Sequence, residues 1–102
     1  MAIAFKSTKV HFDPTSGRKQ TEPGRVTFPT RVRTAEAALK GFQIGYTDSD
    51  HYIWRQEVDI DNIKIDGTTV EFDVDLFIRD SSGNIDDRFD GIVEVLVIAD
   101  LF

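Results

Sequence analysis

Between Val70 and Arg79, apolar Val70, Phe72, Val74, Leu76 and Ile78 alternate with polar Glu71, Asp73, Asp75 and Arg79. A repeat of two puts successive side chains on opposite faces, so this stretch predicts a strand with one buried face. The stretch from Ile92 to Leu101 is nearly continuous in Ile, Val and Leu, with Glu94 its only charge before Asp100. Apolar character on both faces predicts a central strand, or one whose outer face meets another protomer.

A further strand is expected from Ile53 to Ile65, but Val58 and Ile60 are out of phase with Ile63 and Ile65. The slip at Asn62 predicts a β-bulge or a change of sheet. Asp66-Gly67 then gives a turn signal leading into the Val70 strand. Helix competes only over Ala35–Gly41, where Ala-Glu-Ala-Ala-Leu-Lys has good helix propensity. Phe42, Ile44 and Tyr46 continue in period two, which favours a strand over 31–46.

Residues 3–12 predict an N-terminal strand, and 13–24 a mobile loop, since that stretch holds Pro14, Pro23, Gly17 and Gly24. Asp80-Ser81-Ser82-Gly83-Asn84 is a cluster of turn formers that predicts a hairpin or a long loop. About six strands joined by turns imply one all-β domain over 1–102, an antiparallel β-sandwich or small barrel without crossover helices.

With 102 residues there is room for one core. The net charge of -6 repels phosphate backbones and anionic headgroups, which speaks against nucleic acid and membrane as partners. Basic Lys6, Lys9, Arg18, Lys19, Arg25, Arg31 and Arg33 precede residue 34, while acids crowd the stretch from Asp48 to Asp100. That polarity suits either head-to-tail packing of protomers or two solvated faces of opposite sign.

There is no cysteine, so disulfides, thiolate metal sites and a Cys nucleophile are excluded. Met1–Val10 is interrupted by Lys6 and Lys9 and lacks the apolar run of a secretory signal. A cytoplasmic protein, or one exported by a non-classical route, is expected. No segment reaches the roughly twenty apolar residues of a membrane-spanning helix.

Catalytic patterns are weak. His11 and His51 have no metal-ligand spacing, and Ser81 and Ser82 lack the glycine-flanked elbow that exposes a hydrolase nucleophile. The carboxylates alternate along strands, as a solvated face requires. Asp80, Ser82, Asn84 and Asp86 place oxygen ligands at alternate positions, like the front of a calcium loop. Ile85 stands where the tight-turn Gly belongs and Gly91 where the bidentate Glu belongs, so these four are weak metal candidates, and a hairpin turn accounts for the same residues. No phosphate cradle is present, no cofactor is implied, and a non-enzymatic binding role is expected.

Five segments carry a resemblance: Val26-Thr27-Phe28-Pro29, Ala37-Ala38-Leu39-Lys40-Gly41-Phe42, Arg55 with Val58, Ile60 and Ile63, Gly67 to Phe72, and Val95-Leu96-Val97-Ile98-Ala99. Over Val26–Asp100, within a lectin-like region 25–102, the pattern resembles the H-type lectin family. Its members are six-stranded antiparallel sandwiches that assemble as trimers or hexamers and bind N-acetylgalactosamine or galactose.

Arg55 stands eight residues before Ile63, the spacing of the family's ligand-contacting arginine, so the resemblance implies a sugar contact at Arg55. Pairing of Arg55 with Glu57 or Asp75 is the structural alternative. His51, Tyr52 and Trp54 lie just before it. Trp54 or Tyr52 could give sugar C–H faces an apolar platform, and Trp54 equally suits core or interface. Arg79-Asp80 and a longer loop stand where galactose-binding members place Trp-His, so Asp80 and Asn84 are the remaining candidate hydroxyl contacts.

The expected function is a lectin-like module acting as a multivalent homo-oligomer. The alternative is a structural assembly or trimerisation domain of a phage or bacterial particle, with Val95, Val97 and Leu101 lining a threefold interface.

Overall fold

Six antiparallel strands make up a computed structural model that describes residues 2–16, 19–47, 53–80 and 88–102, with side chains at all of these except 15, 16, 53, 54 and 80. The strands are β1 (Ala2–Ser16), β2 (Gln20–Thr27), β3 (Val32–Tyr46), β4 (Ile53–Asp66), β5 (Thr69–Asp80) and β6 (Arg88–Leu101). They form two three-stranded sheets, β1-β6-β3 and β2-β5-β4. Strands of 14 or 15 residues rise about 3.3 Å per residue, which accounts for a molecule 51 Å long and only 18 by 17 Å across.

The two most apolar stretches are the two central strands. Val70, Phe72, Val74, Leu76 and Ile78 of β5 face Val93, Val95, Val97, Ala99 and Leu101 of β6 across one core, all of them buried. Each such Val, Leu, Ile or Phe contributes about 1.5–3 kcal/mol by leaving water. Val95, Val97 and Leu101 therefore cannot line an interface between protomers: their phase along β6 turns them inward. The outer phase of the same strand carries Ile92, Leu96 and Ile98.

β3 is a strand throughout, despite its alanines. Ala35 and Ala37 oppose Ala99 and Val97 on the inner face and are partly buried against the core. An extra residue at Lys40 shifts the register between Leu39↔Val95 and Gly41↔Glu94, and beyond it Ile44 and Tyr46 pack against the core. In β4 the slip at Asn62 is a bulge: the register shifts between Asp61↔Asp73 and Lys64↔Glu71, and Asn62 has φ 54°. The β4–β5 hairpin turns at Gly67, φ 63°, the first central position of a two-residue turn, which glycine occupies at little steric cost.

The segment from Phe28 to Arg31 carries the chain from one sheet to the other. Phe28 plugs that end of the core, and its N–H donates to the carbonyl of Thr68 at 2.8 Å. Val32 N–H donates to Gly67 O at 2.9 Å, and Phe102 N–H donates to Arg31 O at 3.0 Å. The crossover is thereby tied both to the β4–β5 turn and to the end of β6.

The expected loop over 13–24 is corrected: β1 continues to Ser16 and β2 begins at Gln20. Pro14 and Pro23 signalled loop, but both lie on edge strands, where a missing N–H disturbs little. Asp13 and Pro14 are taken up by a register irregularity between Phe12 and Thr15, and Pro23 opposes Asp73.

Candidate functional site

Arg55 lies near the start of β4, at the end of the sandwich where strand ends from both sheets converge. Ile53 pairs with Asp80 in one sheet and Tyr46 with Phe89 in the other, so the segments 48–52 and 81–87 leave from this end. Arg55 pairs with Arg79, and the register shift beside it makes Trp54 an extra residue in the ladder.

The Arg55 side chain is 60% exposed, and its Nε stands 3.7 Å from Oε2 of Glu57. Of the two expected partners, Glu57 is the one it meets. Asp75 instead accepts a hydrogen bond from the Thr21 hydroxyl. A single long contact through Nε leaves the terminal guanidinium nitrogens, the fork that matches paired oxygens, without a partner among the described residues. Next to it, the guanidinium of Arg79 stacks 5.5 Å from the ring centre of Phe77, which is buried on the outer face of its sheet.

The other expected contacts fall differently. His51, Tyr52, Ser82, Asn84 and Asp86 lie outside the described residues, and of Trp54 and Asp80 only the backbone is described. Asp80 closes the β4–β5 ladder opposite Ile53, so its backbone is at the Arg55 end. His11 is exposed on β1, opposite Ile92 of β6. Among the described residues no three His, Asp or Glu side chains are grouped to hold a metal ion.

Two surface features went unread in the sequence. The first is what β1 adds to the outer face of the β1-β6-β3 sheet. Ile3 and Phe5 point outward at 62% and 66% exposure, opposite Asp100 and Ile98, while Lys6 takes the inner phase. Lys6 escapes along the sheet edge, where its ammonium donates to the Thr27 carbonyl at 2.6 Å. The signal was Lys6 itself, whose phase is that of Ala4, Val10 and Phe12.

The second is a shallow groove of about 760 Å³ over β2 and the β4–β5 ladder, lined by Pro23, Gly24, Arg25, Asn62, Lys64, Glu71 and Asp73, with Thr8, Lys9 and Val10 of β1 at its side. No sequence spacing could have indicated it, because it joins four strands whose order in the sheets was unknown. Compared with known proteins, the chain matches no protein-family model, no curated sequence and no solved structure.

Proposed function

We propose that the protein is a lectin-like carbohydrate-binding module that works as a homo-oligomer, a trimer or hexamer, and performs no catalysis. The observation that carries this reading is the presentation of Arg55: an exposed guanidinium with one weak tether among the described residues, at the end of the sandwich from which two polar segments emerge, one of them carrying His51 and Tyr52. His51, Tyr52, Trp54, Asp80 and Asn84 belong to those segments or their borders and are the proposed companions of Arg55. Hydroxyl pairs on a pyranose suit the guanidinium fork, and an aromatic ring suits the C–H face.

The six-stranded sandwich agrees with the resemblance to H-type lectins, although Arg79-Asp80 in place of Trp-His argues for a sugar other than galactosamine. Single shallow sites bind weakly, and several held in one assembly multiply the affinity. Titration of folded protein against a glycan panel tests the reading. Binding should appear at millimolar sugar or below and weaken at least about tenfold in Arg55→Ala, a loss of roughly 1.4 kcal/mol.

A second reading is favoured by a separate observation. Ile3 and Phe5, with Leu96 and Ile98 between β1 and β3, form an apolar patch on the outer face of the β1-β6-β3 sheet that a structural assembly domain would bury. A stable oligomer that binds no glycan at millimolar concentration would favour assembly alone.

A further inference from the structure

The groove over β2 and the β4–β5 ladder combines charges in a way that a plain surface does not need. Arg25 of β2 and Lys64 of β4 both oppose Glu71 of the central strand, so two cations flank one carboxylate in a single cross-strand row. Cross-strand pairs of opposite charge ordinarily meet. Here neither cation makes an ion pair or a hydrogen bond among the described residues, and neither does Glu71.

In the adjoining row Pro23 opposes Asp73, and the Asn62 bulge brings its amide Nδ2 within 2.9 Å of Asp73 Oδ2. Asp73 keeps its other oxygen as an acceptor, and the exposed pyrrolidine of Pro23 adds an apolar surface. The groove volume, about 760 Å³, lies within the range of small-ligand sites, about 300–1,000 Å³.

We infer that this groove is a second binding site, for a saccharide that carries a carboxylate. Arg25 and Lys64 take the carboxylate, Asp73 and Glu71 accept from ring hydroxyls, and Pro23 meets the C–H face. The two acids select against a bare anion, which they would repel. The two cations, unpartnered among the described residues, give a ligand carboxylate charge-assisted hydrogen bonds that the hydroxyls of a neutral sugar match only weakly. Only a ligand with an anionic group and hydroxyls together uses both sets. The site lies on other residues than Arg55 and stands or falls independently of it.

Amide chemical shifts of the folded, full-length chain test the proposal, with glucuronate, glucose and inorganic phosphate as probes at about 10 mM, the range in which a single weak site saturates. Glucuronate should shift the amides of residues 24–25, 62–64 and 71–73 along a saturating curve, with glucose and phosphate much weaker. Arg25→Gln and Lys64→Gln should each weaken this response about tenfold. Arg55→Ala should leave it unchanged, so that loss of the Arg55 site and loss of this one read out separately. Absence of groove shifts with glucuronate, an equal response to phosphate, or a glucuronate response untouched by both substitutions would each overturn the proposal.

Discussion

A Cβ placed on Gly24 would lie 2.4 Å from Cε2 of Phe72 and 2.6 Å from its Cζ, so the ring of a central-strand phenylalanine occupies the side-chain position of the edge strand. Val10 Cγ2, at 3.0 Å, closes the same space from the other sheet. Gly24→Ala must push the ring out of its place. Overpacking of this kind costs about 1–3 kcal/mol. The urea midpoint should fall with the slope unchanged, and Phe72→Leu in the same chain should cost less than it does alone, a coupling of about 0.5–2 kcal/mol. A Gly24→Ala protein as stable as the parent would show that the ring is not held there.

Gly91 sets a harder constraint. Its added Cβ would stand 2.5 Å from the backbone carbonyl oxygen of Gln43 and 2.9 Å from Leu76 Cδ2. A ring can rotate, but a carbonyl in a ladder moves only with its strand. Gly91→Ala should therefore be the more destabilising of the two glycine substitutions. Hydrogen exchange should rise at residues 42–46, where β3 pairs with Phe89–Val93.

These two glycines mark where the sequence was legible and where it was not. The period-two pattern located β5 and β6 because both strands are buried on a face of fixed phase, and β6, apolar on both, took the centre of its sheet. The Asn62 slip was visible because two isoleucines change phase across it. Edge strands were harder. Pro14 and Pro23 signal loop in any chain, and only the sheet order shows that both lie on edge strands, which have a partner strand on one side alone. The inward turn of Val95 and Val97 was equally out of reach, since a strand apolar on both sides does not say which side is the core. Arg55 was legible only through its spacing to Ile63, and the groove at Arg25 and Lys64 not at all.

Asn62 has φ 54°, a region that β-branched residues avoid, and its amide donates to Asp73. Asn62→Gly removes the hydrogen bond and keeps the backbone conformation. Asn62→Val removes both. The valine variant should be less stable than the glycine variant by about 1–2 kcal/mol, measured by thermal or urea unfolding. Equal stabilities would mean that the bulge relaxes without strain.

Neighbouring residues on β6 separate folding from assembly. Val97 is fully buried, whereas Ile98 is half-buried on the opposite face and pairs with Phe5, which is 66% exposed. Val97→Ala leaves a void in the core and should lower stability by about 1–3 kcal/mol. Phe5→Ser, with Ile3→Ser, removes apolar surface that already faces water and should change the stability of the protomer little. If the oligomer forms through this face, the paired serine substitutions should lower the mass seen by sedimentation while leaving the circular dichroism of the sandwich intact. Retention of the full oligomer would place assembly elsewhere, and the β3 edge, where Leu39 and Phe42 are 44% and 42% exposed, would be the next surface to alter. Loss of fold in the serine variant would contradict the outward phase of Phe5, because a side chain in solvent cannot carry the core.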